Sequence, residues 1–151
     1  AHFDHVGVRA RAESARLLMA RAGAAAGPGV TVVVGGDFNT FPDDGGQATY
    51  AALARGAHEA GLVDVRAAEG VEHCDFGRGA ASWEGWTKEY SRAENEALHG
   101  GARGQDASRF DHLFVSRTAA VARTGVVEEA AWCGASDHCP IVAELECAAG
   151  E

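Results

Sequence analysis

Three short clusters in this chain join acids to groups that handle protons or charge. Gly36-Asp37-Phe38-Asn39 places an acid and an amide two positions apart. Arg109-Phe110-Asp111-His112 sets an acid beside an imidazole and two residues after a cation. Ser136-Asp137-His138 joins an acid directly to an imidazole. Carboxylate and amide oxygens are hard ligands that suit Mg²⁺ or Mn²⁺. A carboxylate beside an imidazole sets its tautomer and supports acid–base work. Taken singly, each cluster also fits ordinary turn chemistry, because Asp, Asn and Ser side chains bond nearby backbone. Taken together they describe one polar site, on condition that the fold brings them to the same end of a sheet.

The elements that must do this are legible in the pattern around them. Val32-Val33-Val34 ends in Gly35-Gly36, which predicts a buried strand over 30–36 with Asp37 and Asn39 at its carboxyl end, where open α/β sheets build their sites. Upstream, Arg9 to Ala26 predicts a helix, with Ala15, Leu18 and Ala22 at helical spacing and Leu17 beside them. Gly27-Pro28-Gly29 stops it. A loop over 41–46 leads to a shorter helix over 47–56, with Tyr50 and Leu53 on one side. Leu62-Val63-Asp64-Val65 reads as a short strand or extended segment. Order fades from Glu69 to Gln105, where glycines mix with Phe76, Trp83, Trp86 and Tyr90. A long irregular stretch of this kind is unusual in a compact domain and often functional; a short strand near Ser82-Trp83 and a mobile tip near 99–104 are expected within it. From Arg109, Phe110, His112 and Phe114 alternate with Asp111, Leu113 and Val115, which suits a strand buried on both faces. Further strands are expected over 119–128 and 139–147.

A length of 151 residues fits one domain, and a composition of 46% hydrophobic and 23% charged residues is that of a globular protein. The net charge of −9 repels phosphate backbones at long range and argues against a general nucleic-acid coat. No apolar run approaches the roughly 20 residues of a transmembrane segment. The four cysteines, Cys74, Cys133, Cys139 and Cys147, include no CxxC pair; reduced, buried thiols are the simpler reading, with disulfides left open.

The three clusters, in this order, resemble the endonuclease/exonuclease/phosphatase family. His2-Phe3-Asp4-His5, with Ala10-Arg11 and the helix that follows, is similar to the segment between that family's two halves. The resemblance runs from His2 to about Leu145. It implies a deoxyribonuclease I-like α/β fold, a two-sheet sandwich with helices outside and the site at one end, of which this chain is half. It implies a divalent-metal-dependent phosphoesterase acting on a phosphate ester by in-line water attack, with Mg²⁺ or Mn²⁺ as cofactor. Asp37 resembles the acid that orients or deprotonates the water. Asn39 matches the amide that positions that acid and contacts the phosphate. His138 matches the histidine on the scissile phosphate, Asp111 its carboxylate partner, and Asp137 the acid near the metal. His2 resembles a histidine that stabilises or protonates the phosphate side. Arg109 is placed to touch phosphate. The substrate class stays open among small phosphate esters, lipid headgroups and single-stranded nucleic acid.

The family's earlier half normally supplies an Asn and a metal-binding Glu, each near the end of an earlier strand. Glu13, Glu59 and Glu69 stand in the wrong order and context to replace them. The expectation is therefore that residues 1–147 are the later part of one domain whose N-terminal half is missing, with 148–151 a disordered tail. Such a piece alone is expected to be poorly active and prone to associate, because a bare sheet face exceeds what a monomer usually exposes.

Three other readings fit part of the sequence. His2-Phe3-Asp4-His5 would complete the H-x-H-x-D-H zinc motif of metallo-β-lactamase-like hydrolases if a histidine preceded Ala1. A binuclear metallophosphatase also uses a Gly-Asp turn after a strand, but its downstream Gly-Asn-His-Asp/Glu segment is not found. A truncated or non-catalytic member could serve as a binding module. Trp83, Trp86 and Tyr90 suit loop anchoring, with a stacking platform as the alternative. Most histidines other than His2 and His138 are expected at the surface, His112 being the exception because it lies in an apolar strand.

Overall fold

A computed structural model describes residues 1–4, 6–40, 48–68, 71–75, 88–89, 107–108, 111–127, 138 and 140–146. In chain order the elements are α1 (Val8–Ala25), β1 (Val33–Asp37), α2 (Ala48–Glu59), β2 (Leu62–Asp64), β3 (Glu72–Asp75), β4 (Lys88–Glu89), β5 (Ala107–Ser108), β6 (Asp111–Ser116), β7 (Ala120–Val126) and β8 (Ile141–Glu146). β6 lies between β1 and β2 in an antiparallel sheet. β7 lies between β3 and β8 in a second sheet, parallel to β3 and antiparallel to β8. β4 and β5 form a separate two-residue ladder.

The core sits between the two helices and one face of the first sheet. It gathers Met19 and the α1 alanines, Leu53 of α2, Leu62 of β2, Val34 of β1, Phe114 of β6, and Phe38 just past β1. Full burial of each large apolar side chain in such a set contributes about 1.5–3 kcal/mol. Strand alternation does the sorting. Val34 and Phe38 turn to the helices, so Asp37 turns to the other face. His112 and Phe114 turn to the helices, so Asp111 also turns away.

The buried apolar stripe of α1 is Ala12, Ala15, Met19 and Ala22, with Arg11 buried beside it, whereas Leu17 is 57% exposed. The predicted stripe included Leu18, which is only partly buried. The close approach of α2 selects the stripe: a Cβ on Gly56 would lie 2.6 Å from the Met19 Cβ. Gly56 is therefore a contact point within α2 rather than its stop. The helix runs three residues further and closes with Gly61 at φ 69°, in the left-handed region that suits a glycine there.

β1 is also less buried than its apolar run predicts. Val34 is buried, but Val33 is 51% exposed, because β1 is an edge strand and only its helix-facing side is covered. β6 fits its prediction more closely, with His112, Phe114, Val115 and Ser116 all buried. The strands expected over 119–128 and 139–147 correspond to β7 and β8. The strand expected near Ser82-Trp83, the tip at 99–104, the tail at 148–151, the side chains of Trp83, Trp86 and Tyr90, and all four cysteine side chains lie outside the described residues. Among the described residues, no helix is long and apolar enough to cross a membrane.

Candidate active site

The register of β1 against β6 sets Asp37 directly opposite Asp111. Cross-strand partners share a face, and like charges so placed destabilise a sheet. Both side chains are about one-fifth exposed. Their oxygens meet His138, which lies just before β8. Its Nδ1 is 2.7 Å from Asp111 Oδ2, and its Nε2 is 3.8 Å from Asp37 Oδ2. One imidazole therefore spans the two carboxylates. A second, His2, brings Nε2 to 3.6 Å from Asp37 Oδ2 and is 74% exposed.

Local sequence explains how Asp37 is presented. His2 forms an isolated parallel bridge with Asp37, and the Phe3 N–H donates to the Asp37 carbonyl at 2.9 Å. The incoming chain therefore runs along the end of β1. Gly36 permits this: its φ is 151°, and a Cβ there would fall 1.8 Å from the Ala1 carbonyl oxygen. Past the strand, the Asn39 N–H donates to Asp37 Oδ1 at 2.8 Å. Asn39 has φ 48°, a left-handed conformation that Asn tolerates better than most residues. Its side-chain Nδ2 donates to the Phe3 carbonyl at 2.8 Å. Asn39 thus holds Asp37 through its main chain and holds the His2-Phe3 segment through its side chain.

Asp37, Asp111 and His138 each offer a ligand atom, and these atoms lie within 4.8 Å of one another. Two carboxylates and one imidazole suit a hard divalent cation. The opposed carboxylates also make positive charge favourable at this point, whether from a cation or from an imidazolium. The cluster opens on a cleft of about 360 Å³ floored by Gly35 and Gly36 and walled by Leu113, Pro140 and Ile141. A larger groove, about 400 Å³, lies between α1 and α2, on the far side of the core from these groups.

Of the residues singled out from sequence, the structure brings together His2, Asp37, Asn39, Asp111 and His138. Arg109 and Asp137 lie outside the described residues. His5 does too, and the Asp4 carboxylate accepts the Val6 N–H at 2.9 Å. His2 turns instead to Asp37, so among the described residues the opening segment forms no metal cluster of its own.

Sequence reading missed Asp64 and Arg66. His112 is buried as expected, and its Nδ1 lies 3.0 Å from Asp64 Oδ2. Burial pushes the Asp64 carboxyl up, but the His112 hydrogen bond and charge, with the Arg66 N–H and guanidinium, outweigh it and hold the group below its ordinary value. Arg66 Nη2 donates to the Asp111 carbonyl. The signal was present: Asp64 ends a short apolar strand, as Asp37 does.

A sequence model of the endonuclease/exonuclease/phosphatase family matches residues 1–138. Among curated protein sequences there is no significant match. Among solved structures, a family protein from Bacteroides vulgatus is 25% identical with a TM-score of 0.64, aligned over 97% of this chain and 48% of its own. One from Bacteroides thetaiotaomicron is 25% identical with a TM-score of 0.61, over 95% and 47%. The mannosyl-6-phosphatase Bt3783 of the same species is 23% identical with a TM-score of 0.62, over 96% and 49%. The chain thus spans about half the length of these structures. Its helices packed outside an antiparallel sheet, beside a mixed one, share the α/β fold of these structures and cover about half of it. With most of its length matched by the family model, the chain belongs to the endonuclease/exonuclease/phosphatase family.

Proposed function

We propose that this chain carries the water-activating and phosphate-facing part of a divalent-metal-dependent phosphoesterase. The observation that supports this best is the single imidazole of His138 set between two carboxylates that face each other across a ladder. Such a pair costs stability, and acid–base or metal chemistry gives it a use.

The Asp37 carboxylate, fixed through Oδ1 by the Asn39 N–H, turns its Oδ2 to the cleft to orient the attacking water and take its proton. His138 is held by Asp111 through Nδ1, and its Nε2, on the Asp37 side of the ring, borders the cleft where a phosphoryl oxygen would sit. In the protonated ring Nε2 donates a hydrogen bond that strengthens as charge develops on that oxygen. Asn39 has a second Nδ2 hydrogen beyond the one given to Phe3, and this can reach phosphate. His2, at the rim, stabilises or protonates the phosphate side. Among the described residues, the Asp37 and Asp111 carboxylates beside His138 could hold Mg²⁺ or Mn²⁺, with the protonated His138 ring outside the ligand set, and we assign Asp137 to the same edge. A bound cation polarises a phosphoryl oxygen. Arg109, two residues before Asp111, is assigned to phosphate binding.

We further propose that residues 1–147 are the later part of one domain, and that an N-terminal half supplies the remaining Asn and Glu. The net charge of −9 favours a small phosphate ester over duplex DNA. The test is a screen of phosphate mono- and diesters with Mg²⁺ and with chelator, using the longest natural polypeptide that carries this chain. Mannose 6-phosphate, a nitrophenyl phosphodiester and a single-stranded oligonucleotide span the choices. Cation-dependent release that varies little with salt is the expected result. A steep loss with salt points to nucleic acid, and no release from any ester overturns the proposal.

A further inference from the structure

The end of β2 meets β6 directly and, through His112, the turn after β1, although Asp64 and Arg66 contribute no group to the cleft. His112 is 2% exposed, and both of its ring nitrogens are engaged: Nδ1 with Asp64 Oδ2 at 3.0 Å, Nε2 with the Thr40 carbonyl at 2.9 Å. Thr40, fully buried, is the residue after Asn39. The other Asp64 oxygen accepts the Arg66 N–H at 3.0 Å. The Arg66 guanidinium in turn donates to the Asp111 carbonyl.

We infer that Asp64, Arg66 and His112 form a buried brace that positions the two acid-bearing segments of the active site. One arm runs from Asp64 through His112 to the turn that holds Asp37 and Asn39. The other runs from Asp64 through Arg66 to the main chain of Asp111. Packing alone does not explain the arrangement. The His112 ring lies among Phe38, Phe114 and Tyr50, with centroids 5.5–6.0 Å away. A phenylalanine would suit that cage without a buried polar pair, whose desolvation is costly. What phenylalanine cannot do is donate in two directions, to Thr40 and to Asp64. These are positioning residues: Asp64 and Arg66 do not line the cleft, and His112, which borders it, spends both ring nitrogens on Asp64 and Thr40.

The role of the brace in turnover rests on the proposed phosphoesterase reading, so the test has two readouts. The variants are His112→Phe and Asp64→Asn, in the longest natural polypeptide that carries this chain. Asparagine can keep every bond of the brace: its Oδ1 accepts the Arg66 N–H, and its Nδ2 donates to His112 Nδ1 while Nε2–H still donates to Thr40. Small misplacements of reacting groups cost up to about 100-fold in rate. His112→Phe is therefore expected to lower kcat about 10- to 100-fold with KM changed less than about threefold, while Asp64→Asn keeps most of kcat. The second readout is hydrogen exchange at the Asn39 amide, the one bonded to Asp37. It is expected to speed up at least about tenfold in His112→Phe, with the α1 amides little changed. Parental kcat and parental Asn39 exchange in His112→Phe overturn the brace. So does equal acceleration at Asn39 and α1, which marks a general loss of stability. If the parent hydrolyses no phosphate ester, the proposed function falls, and the exchange comparison still decides the brace.

Discussion

Asp37 and Asp111 repel each other across β1 and β6, and the imidazole of His138 lies against both. Replacing Asp37 by Asn keeps the acceptor for the Asn39 N–H and removes the repulsion and the proposed base. Asp37→Asn is therefore expected to lose about 10²- to 10⁴-fold in kcat, the usual contribution of a positioned acid or base. Its melting temperature should be equal to or above the parent's, and a parallel fall in both would point to a structural role. The polar groups of this cluster could be named from sequence because acids, an amide and imidazoles at the ends of apolar runs have few other uses when three such clusters recur. Their pairing could not be named. That Asp37 faces Asp111, and that Asn39 spends its side chain on Phe3, depend on register and on a left-handed residue that sequence leaves open. Asp64 carried the same signal but stood alone, and a lone acid ending a three-residue strand looks like a turn former.

The two elements that set the geometry each rely on a close approach. At Gly56 a methyl group would press on Met19, with the Cβ atoms 2.6 Å apart. Gly56→Ala gains up to about 1 kcal/mol of helix propensity and loses about 1–3 kcal/mol to overpacking. The expected outcome is a net loss in denaturant melts, with α1 displaced from α2. Gly36→Ala acts at the site instead. Its Cβ would fall on the Ala1 main chain, so the His2-Phe3 segment must leave the end of β1. Activity is expected to fall more than stability, as kinetics and thermal melts on the same samples would show. A melting temperature that falls in step with the rate would count against this separation. Sequence placed both helices and the main strands because their apolar periods and glycine stops are local. It ended α2 too early because Gly56 has the composition of a terminator and the function of a contact. It overstated the burial of β1 because Val33 and Val34 look alike in sequence, while an edge strand covers only one side.

For the whole molecule, the buried His112–Asp64 pair links stability to pH. The Asp64 carboxyl titrates lower in the folded chain than its ordinary value of 3.8. Its contribution is therefore complete above about pH 4–5 and is lost as pH falls through the lowered folded value. Removing the charge with Asp64→Asn should give a stability gap from the parent that shrinks as the pH drops below about 4, in urea melts at several pH values. A gap that is constant or grows toward low pH contradicts the assignment. Truncation is harsher: Asp64→Ala leaves His112 buried beside an empty acceptor position and is expected to cost about 3–5 kcal/mol. Family and fold could be read at this scale from the order of the three clusters, and the family model over residues 1–138 agrees although overall identity to the solved relatives is only 25%. The substrate could not, since the cleft described here belongs to a chain about half the length of those relatives.

In the proposed reaction, water activated at Asp37 and opposite His138 attacks phosphorus. Hydrolysis of a phosphate ester in H₂¹⁸O tests it most directly, with the longest natural polypeptide that carries this chain and with Asp37→Asn and His138→Ala beside it. The expected result is ¹⁸O in the released phosphate, turnover that stops with chelator and returns with Mg²⁺ or Mn²⁺, and losses of about 10²- to 10⁴-fold in each variant. Label in the alcohol product, or undiminished turnover in both variants, would contradict it.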